Sequence, residues 1–304
     1  MRKEISFLIV FTLIVMVFAT PVGAALKVGI LPDADSIPLI VAEEEGLFAA
    51  TGQEIEIVSF HNPIERDSAL QVGVIDGAIS DVLAAAFAND NKATVKITSL
   101  TNGRYVLLTG KDSGISDFQE LKGVEIAISS NTIIEYVTDK LLKSKGITEE
   151  NIAKIAIPKI PVRLQMLEAG KVKAACLPEP LASVLLLKGA NKIAESTELG
   201  EAPGIMLFTE KSIQEKEQEL QAFYAAYSQA VELINEDSDS YRELLVTKGG
   251  FPEEIKESFV FPEYDQPHLP AEETVQFVLD WLTEKDLIQS QFNYQDLVTN
   301  QFVN

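Results

Sequence analysis

The chain has 304 residues, of which 46% are hydrophobic and 23% charged, and its formal net charge is −21 at pH 7. That is enough apolar material for cores of ordinary size, while so acidic a surface repels nucleic acid and anionic lipid. Cys176 is the single cysteine, so no intrachain disulfide can form, and His61 and His268 are the only histidines, which leaves no metal-binding spacing to predict.

At the N-terminus, Arg2 and Lys3 precede an apolar run from Ile5 to Ala19 that only Ser6 and Thr12 interrupt. Pro21 ends the run, and Val22-Gly23-Ala24 offers small residues ahead of Ala25. This order predicts a secretory signal peptide over 1–24, cleaved before Ala25, and so a periplasmic or otherwise extracytoplasmic protein. The run is short for a membrane span of about 20 residues, and no cysteine stands near the cleavage site for a lipid anchor.

Strands are predicted at Leu26 to Leu31, Glu54 to Phe60, Gly77 to Ser80 and Thr94 to Leu100. Helices from Ser36 to Phe48, Ile64 to Val72 and Val82 to Ala88 separate them, with Ser36 placed as a cap. The pattern restarts with strands at Arg104 to Thr109, Val124 to Ser129, Ile152 to Ile157, Lys173 to Leu177 and Ile205 to Phe208. Helices at Asp117 to Leu121, Thr132 to Lys145, Pro161 to Ala169 and Glu179 to Lys188 lie between them. Such alternation implies βαβ units in an α/β fold with mostly parallel sheets flanked by helices. From Glu210 onward the pattern is helical, a tail expected to pack on the lobe already built. Aligning Arg66 with Arg163 without gaps pairs Leu70 with Leu167, Gly73 with Gly170 and Ala78 with Ala175, and sets Asp81 opposite Pro178. Two related lobes would account for that similarity.

In open parallel sheets, ligands bind beyond the carboxyl ends of the strands, where helices begin. The residues that follow the predicted strands are Asp33, Asp35 and Ser36, then His61, then Asp81, then Ser129-Ser130-Asn131-Thr132, and finally Pro178 and Glu179. Ser129, Ser130, Asn131 and Thr132 open a helix, whose N-terminus favours anions. Asp81 and Glu179 are placed either as helix-start residues or facing a cleft. Arg104, at the crossing between halves, is the one basic candidate. The balance of carboxylates over basic residues suits a neutral or cationic solute. No nucleophile, base and orienter come together, so no catalytic residue, metal or cofactor is expected.

Five segments carry a resemblance. They are Leu26-Lys27-Val28-Gly29, Pro38 to Phe48 (P-L-I-V-A-E-E-E-G-L-F), Leu70 to Asp81 (L-Q-V-G-V-I-D-G-A-I-S-D), Leu121-Lys122-Gly123 with Ile126 to Asn131, and Gly170 to Pro180 (G-K-V-K-A-A-C-L-P-E-P). From Leu26 to Phe208 the chain resembles periplasmic solute-binding proteins of ABC importers of the nitrate, sulfonate and taurine type, a group that includes binders of thiamine-pyrimidine precursors. The resemblance implies a two-lobed periplasmic binding protein of type II with two hinge crossings. One lobe would comprise 25–102 and 206–304, the other 103–205, with the crossings near 101–105 and 203–208. A monomer would close on a small solute and deliver it to an ABC permease. The turn at Ser129 lacks the glycine of the family's Gly-Ser-Thr type turn. The related pyrimidine synthases use a run of cysteines that this chain lacks. The rival readings are a biosynthetic enzyme on the same fold, against which the leader argues, and a solute sensor for a receptor.

Overall fold

The computed structural model describes residues 25–200 and 203–303, so the signal peptide expected over 1–24 lies outside the described residues. In chain order the strands are β1 (Leu26–Ile30), β2 (Ile55–Ser59), β3 (Gly77–Asp81), β4 (Val95–Leu100), β5 (Tyr105–Thr109), β6 (Glu125–Ile128), β7 (Ala153–Ala156), β8 (Ala174–Pro178), β9 (Asn191–Glu195) and β10 (Gly204–Thr209). The helices are α1 (Ile37–Glu44), α2 (Leu47–Ala50), α3 (Pro63–Gln71), α4 (Val82–Asp90), α5 (Ile133–Ser144), α6 (Ile160–Glu168), α7 (Leu181–Leu187), α8 (Glu210–Glu215), α9 (Glu217–Glu236), α10 (Arg242–Thr247), α11 (Glu272–Glu284) and α12 (Tyr294–Leu297).

The strands form two five-stranded sheets, ordered β2-β1-β3-β10-β4 and β7-β6-β8-β5-β9. Each sheet with its helices is one lobe. In the first, β1 pairs in parallel with β2 and β3, while β10 runs antiparallel to β3 and β4. In the second, β6 pairs in parallel with β7 and β8, while β5 runs antiparallel to β8 and β9. The sheets are therefore mixed, and the reversed strand in each is the one the chain forms on arriving from the other lobe. The inner strands β3, β5 and β8 are buried along their whole length, while β2 and β7 at the edges are partly exposed. This burial explains the apolar stretches Ala78-Ile79, Val106 to Leu108 and Ala174 to Leu177 within them. Gly77 is required where β3 meets β10, because a β-carbon there would sit inside the Phe208 ring and 2.5 Å from the Leu207 carbonyl oxygen.

Local details differ from the sequence expectations in instructive ways. The helix expected from Ser36 to Phe48 is divided. A 3-10 turn at Ala34–Ser36 precedes α1, and Gly46, at φ 67°, separates α1 from α2. Ser36 makes no capping hydrogen bond to α1. Asp33 caps the turn instead, accepting from the Ser36 N–H, because Asp33 has the extended backbone a cap requires while Ser36 is already helical. Strand β9 is not among the predicted strands, because its short Asn-Lys-Ile-Ala-Glu run is mostly polar.

The helical tail does more than cover the first lobe. Helix α9 packs its aromatic face there, with Phe223 stacked 6.0 Å from Phe48 and edge-on to Phe208 at 5.5 Å. Such pairs add to the area they bury. Helix α11 lies on α4 of the first lobe and also touches α5 of the second. Trp281 sets its ring edge-on to Tyr136 at 5.7 Å, and Lys285 Nζ lies 3.1 Å from Asp139 Oδ2. The tail thus straps the two lobes together.

Candidate functional site

The carboxyl ends of β1 and β3 face those of β6 and β8 across a cleft between the lobes. The first lobe contributes Asp33, Asp35, Arg66, Ser80 and Asp81 to its lining, and the second Tyr105, Ser129, Thr132, Arg163 and Pro178. The lobes are closed over it. The space open to the centre of a water molecule is about 30 Å³, little more than one or two waters occupy. Larger grooves lie on the outer surface, one of about 730 Å³ beside α3 and α4. The cleft is the stronger candidate because buried polar groups converge on it.

Polar contacts hold the lobes together across the cleft. The Ala34 N–H donates to the Glu179 carbonyl at 2.7 Å, and the Ile160 N–H to the His61 carbonyl at 3.2 Å. The Tyr105 hydroxyl donates to Asp35 Oδ2 at 3.3 Å. The Ile133 N–H, at the start of α5, donates to Asp81 Oδ2, also at 3.3 Å.

Asp33, Asp35 and Asp81 are all buried. Burial raises the pKa of each: Asp33 well above the usual range, with the Asp35 charge adding to it, and Asp35 to about 6. Two buried guanidiniums line the same cavity. Arg66 donates to the Ile79 carbonyl and pairs with Asp67 at 2.8 Å. Burial works to discharge it, but Asp67, Asp81 and Asp33 hold its pKa above the ordinary value. Arg163 is wholly buried and donates to the carbonyls of Cys176 (2.9 Å) and Ile157 (2.7 Å). Burial pushes its pKa down to about 10. Its Nη2 has no hydrogen-bond partner among the described residues, and the same is true of the buried hydroxyls of Ser80 and Ser129. Three donors without acceptors on one cavity are costly unless something supplies those acceptors.

The residues singled out from the sequence are distributed unevenly. Asp33, Asp81, Ser129, Thr132 and Pro178 line the cavity, as does Asp35. Ser36 lies behind Asp33 and donates its hydroxyl to it at 2.9 Å. Asp81 caps α4 through the Ala84 N–H at 2.8 Å, and Thr132 caps α5 through the Ile134 N–H at 3.2 Å. His61, Ser130, Asn131, Arg104 and Glu179 are absent from the lining. His61, Ser130 and Asn131 are exposed, and the Asn131 N–H is taken by Glu135. Arg104 accepts the Glu179 N–H with its carbonyl, and Glu179 turns its carboxylate to the Ser183 N–H at 3.0 Å, near the start of α7. The sequence reading missed Arg66 and Arg163 as cavity residues because both lie inside helices rather than after strands. The signal was nonetheless present, since this pair anchors the internal alignment.

No match is found among curated proteins. Among solved structures, the chain is similar to the alkanesulfonate-binding protein SsuA from Xanthomonas axonopodis pv. citri bound to MOPS, at 20% identity and a TM-score of 0.80, covering 91% of this chain and 98% of that one. It is similar to the periplasmic aliphatic sulphonate binding protein SsuA from Escherichia coli, at 20% identity and a TM-score of 0.77, covering 91% and 98%. It is also similar to the periplasmic nitrate-binding protein NrtA from Synechocystis, at 15% identity and a TM-score of 0.64, covering 82% and 74%. At these identities the likeness establishes the fold, that of periplasmic binding proteins. Residues 19–246 match the NMT1-like family, and the chain belongs to that family.

Proposed function

We propose that the protein is an extracytoplasmic solute receptor that captures a compact organic solute between its lobes and delivers it to an ABC permease. The observation that carries this reading is the set of buried, unpartnered donors at Arg163, Ser80 and Ser129, which line one cleft together with buried carboxylates. An acidic group on the solute would supply the acceptors that these donors lack. An amine or another donor on the same solute would meet Asp33, Asp35 and Asp81. The lining therefore favours a zwitterion, or a neutral molecule with strongly separated donor and acceptor ends. This extends the sequence expectation of a neutral or cationic solute, which leaves Arg66 and Arg163 out of the lining. A cavity of about 30 Å³ admits no such molecule unless the lobes open, so the reading includes a hinge at the two crossings. Export through the expected leader at 1–24 belongs to the same reading.

The test is a thermal-shift panel on protein that has been unfolded and refolded to strip any host solute. It would include aminosulfonates, amino acids, simple sulfonates, nitrate, polyamines and pyrimidines. A solute at 100 times its dissociation constant should add about 2.7 kcal/mol of stability. The zwitterions are expected to give the largest rise. No rise with any compound would refute a solute receptor of this chemistry.

A further inference from the structure

Helix α5 presents its N-terminus to the cleft. In its first turn the Ile134 N–H is capped by Thr132 Oγ1, and the Glu135 N–H bonds to the Thr132 carbonyl. The Ile133 N–H is instead satisfied by the other lobe, through Asp81 Oδ2 at 3.3 Å. The second oxygen of that carboxylate, Oδ1, is fixed 2.8 Å from the Ala84 N–H of α4. Asp81 is thus clipped to its own lobe by one oxygen and reaches across the cleft with the other.

The place it reaches is chemically specific. A helix N-terminus favours negative charge. The unpartnered Arg163 Nη2 and Ser129 Oγ, both more than nine-tenths buried, line the same cavity. Arg66, the other guanidinium of the cleft, already lies against Asp67 at 2.8 Å. The anion-favouring end of the cavity therefore holds one internal carboxylate and still has donors to spare.

We propose that Asp81 is an intramolecular stand-in for the acidic group of the solute. It occupies the seat at the start of α5, holds the solute-free protein closed, and is displaced when a solute binds. Displacement sets a selectivity threshold. Only a group that outcompetes a tethered carboxylate takes the Ile133 N–H, so of the solutes the lining admits, those with an acidic group are selected over uncharged ones. The displaced carboxylate remains clipped to α4, where it can meet the solute's cationic end. This deepens the reading of the cleft as a solute site and rests on it.

The decisive experiment compares the solute-free wild type with Asp81→Asn by small-angle X-ray scattering, and measures inorganic sulfate binding to both by calorimetry. Asparagine keeps the Oδ1 acceptor for Ala84 but turns an amide donor toward the Ile133 N–H, donor against donor. The variant is expected to have the larger radius of gyration and to bind sulfate about tenfold more tightly, the scale of one charged hydrogen bond. Asp81→Ser, which keeps a cap but is too short to cross the cleft, should expand likewise and covers the case of a misfolded asparagine variant. Equal radii of gyration for wild type and a folded variant would overturn the proposal. A solute panel without any response would refute the functional reading alone, because the scattering comparison needs no solute.

Discussion

Arg66 and Arg163 hold the same place in the two lobes, each inside the helix before an inner strand and each donating to a carbonyl thirteen residues further on, yet only Arg66 has a carboxylate beside it. Arg163 has carbonyl partners alone, with no ion pair among the described residues. Two lobes of one design therefore carry unequal charge balance, and the deficit lies on the side that faces Asp81. A buried guanidinium without a counter-charge is expensive to maintain, which makes it the group with the most to gain from an incoming anion.

Replacing that group separates binding from folding. Arg163→Met should abolish the thermal shift given by an acidic solute. It removes an uncompensated buried charge but leaves the carbonyls of Ile157 and Cys176 without donors. The opposing effects keep the expected change in folding stability within about 2 kcal/mol. Urea unfolding with and without solute measures both quantities. A variant that binds the solute as the wild type does would show that Arg163 only ties α6 to β8.

The buried carboxylates give stability an unusual pH dependence. Burial raises the Asp35 pKa from 3.8 to about 6, and that of Asp33 well above its usual range. A raised acid binds its proton more tightly in the folded state, so folding is penalised as the pH climbs from about 4 through 6 and beyond. For Asp35 alone the penalty at pH 7 is on the order of 3 kcal/mol. Solute-free protein should accordingly be more stable at pH 5 than at pH 7, and Asp35→Asn should flatten the profile. Denaturation midpoints at pH 5, 6, 7 and 8 decide the matter. A wild type that gains stability between pH 5 and 7 would contradict the assignment.

The alternation of strands and helices was readable because the inner strands are buried on both faces and the helices between them begin with Pro63, Asp81 and Thr132, which are local signals. The reversed directions of β5 and β10 were not readable, since direction depends on which lobe the chain has just left. The same division holds at the cleft. Asp33, Asp81, Ser129 and Thr132 follow strands and were found by that rule, whereas Arg66 and Arg163 reach the cavity from within helices. Glu179 met the rule and still turned to its own helix, because a carboxylate beside free N–H groups finds a partner before it reaches the cleft.

Gly103 tests how closely the first crossing is fitted to the cleft. A β-carbon there would collide with Asp35 Oδ2 and stand 2.6 Å from the Tyr105 hydroxyl. Both groups belong to the interlobe contact, so neither can move without loosening closure. Gly103→Ala should destabilise the protein by about 1–3 kcal/mol, the scale of overpacking, and weaken solute binding as well. Urea unfolding and a solute titration report the two effects. An unchanged affinity would mean that the Asp35–Tyr105 contact has no part in binding.

Trp281 tests the strap formed by the helical tail. It is the single tryptophan of the chain, lies buried on α11, and packs edge-on to Tyr136 of the opposite lobe. Its indole N–H has no hydrogen-bond partner among the described residues, so its contribution is packing and the Lys285 ammonium that lies 5.0 Å over its ring. Trp281→Ala should cost about 3–5 kcal/mol, and Trp281→Phe much less, since the edge-on contact survives in a smaller ring. Because α11 touches both lobes in this closed structure, the alanine variant should also lose solute affinity although Trp281 does not line the cavity. The wild-type indole reports on the same motion. Opening moves it from Tyr136 toward water, so the emission of solute-free Asp81→Asn should lie to the red of wild type. Identical spectra for two proteins that scattering shows to differ in size would place Trp281 outside the moving interface and confine the strap to the first lobe.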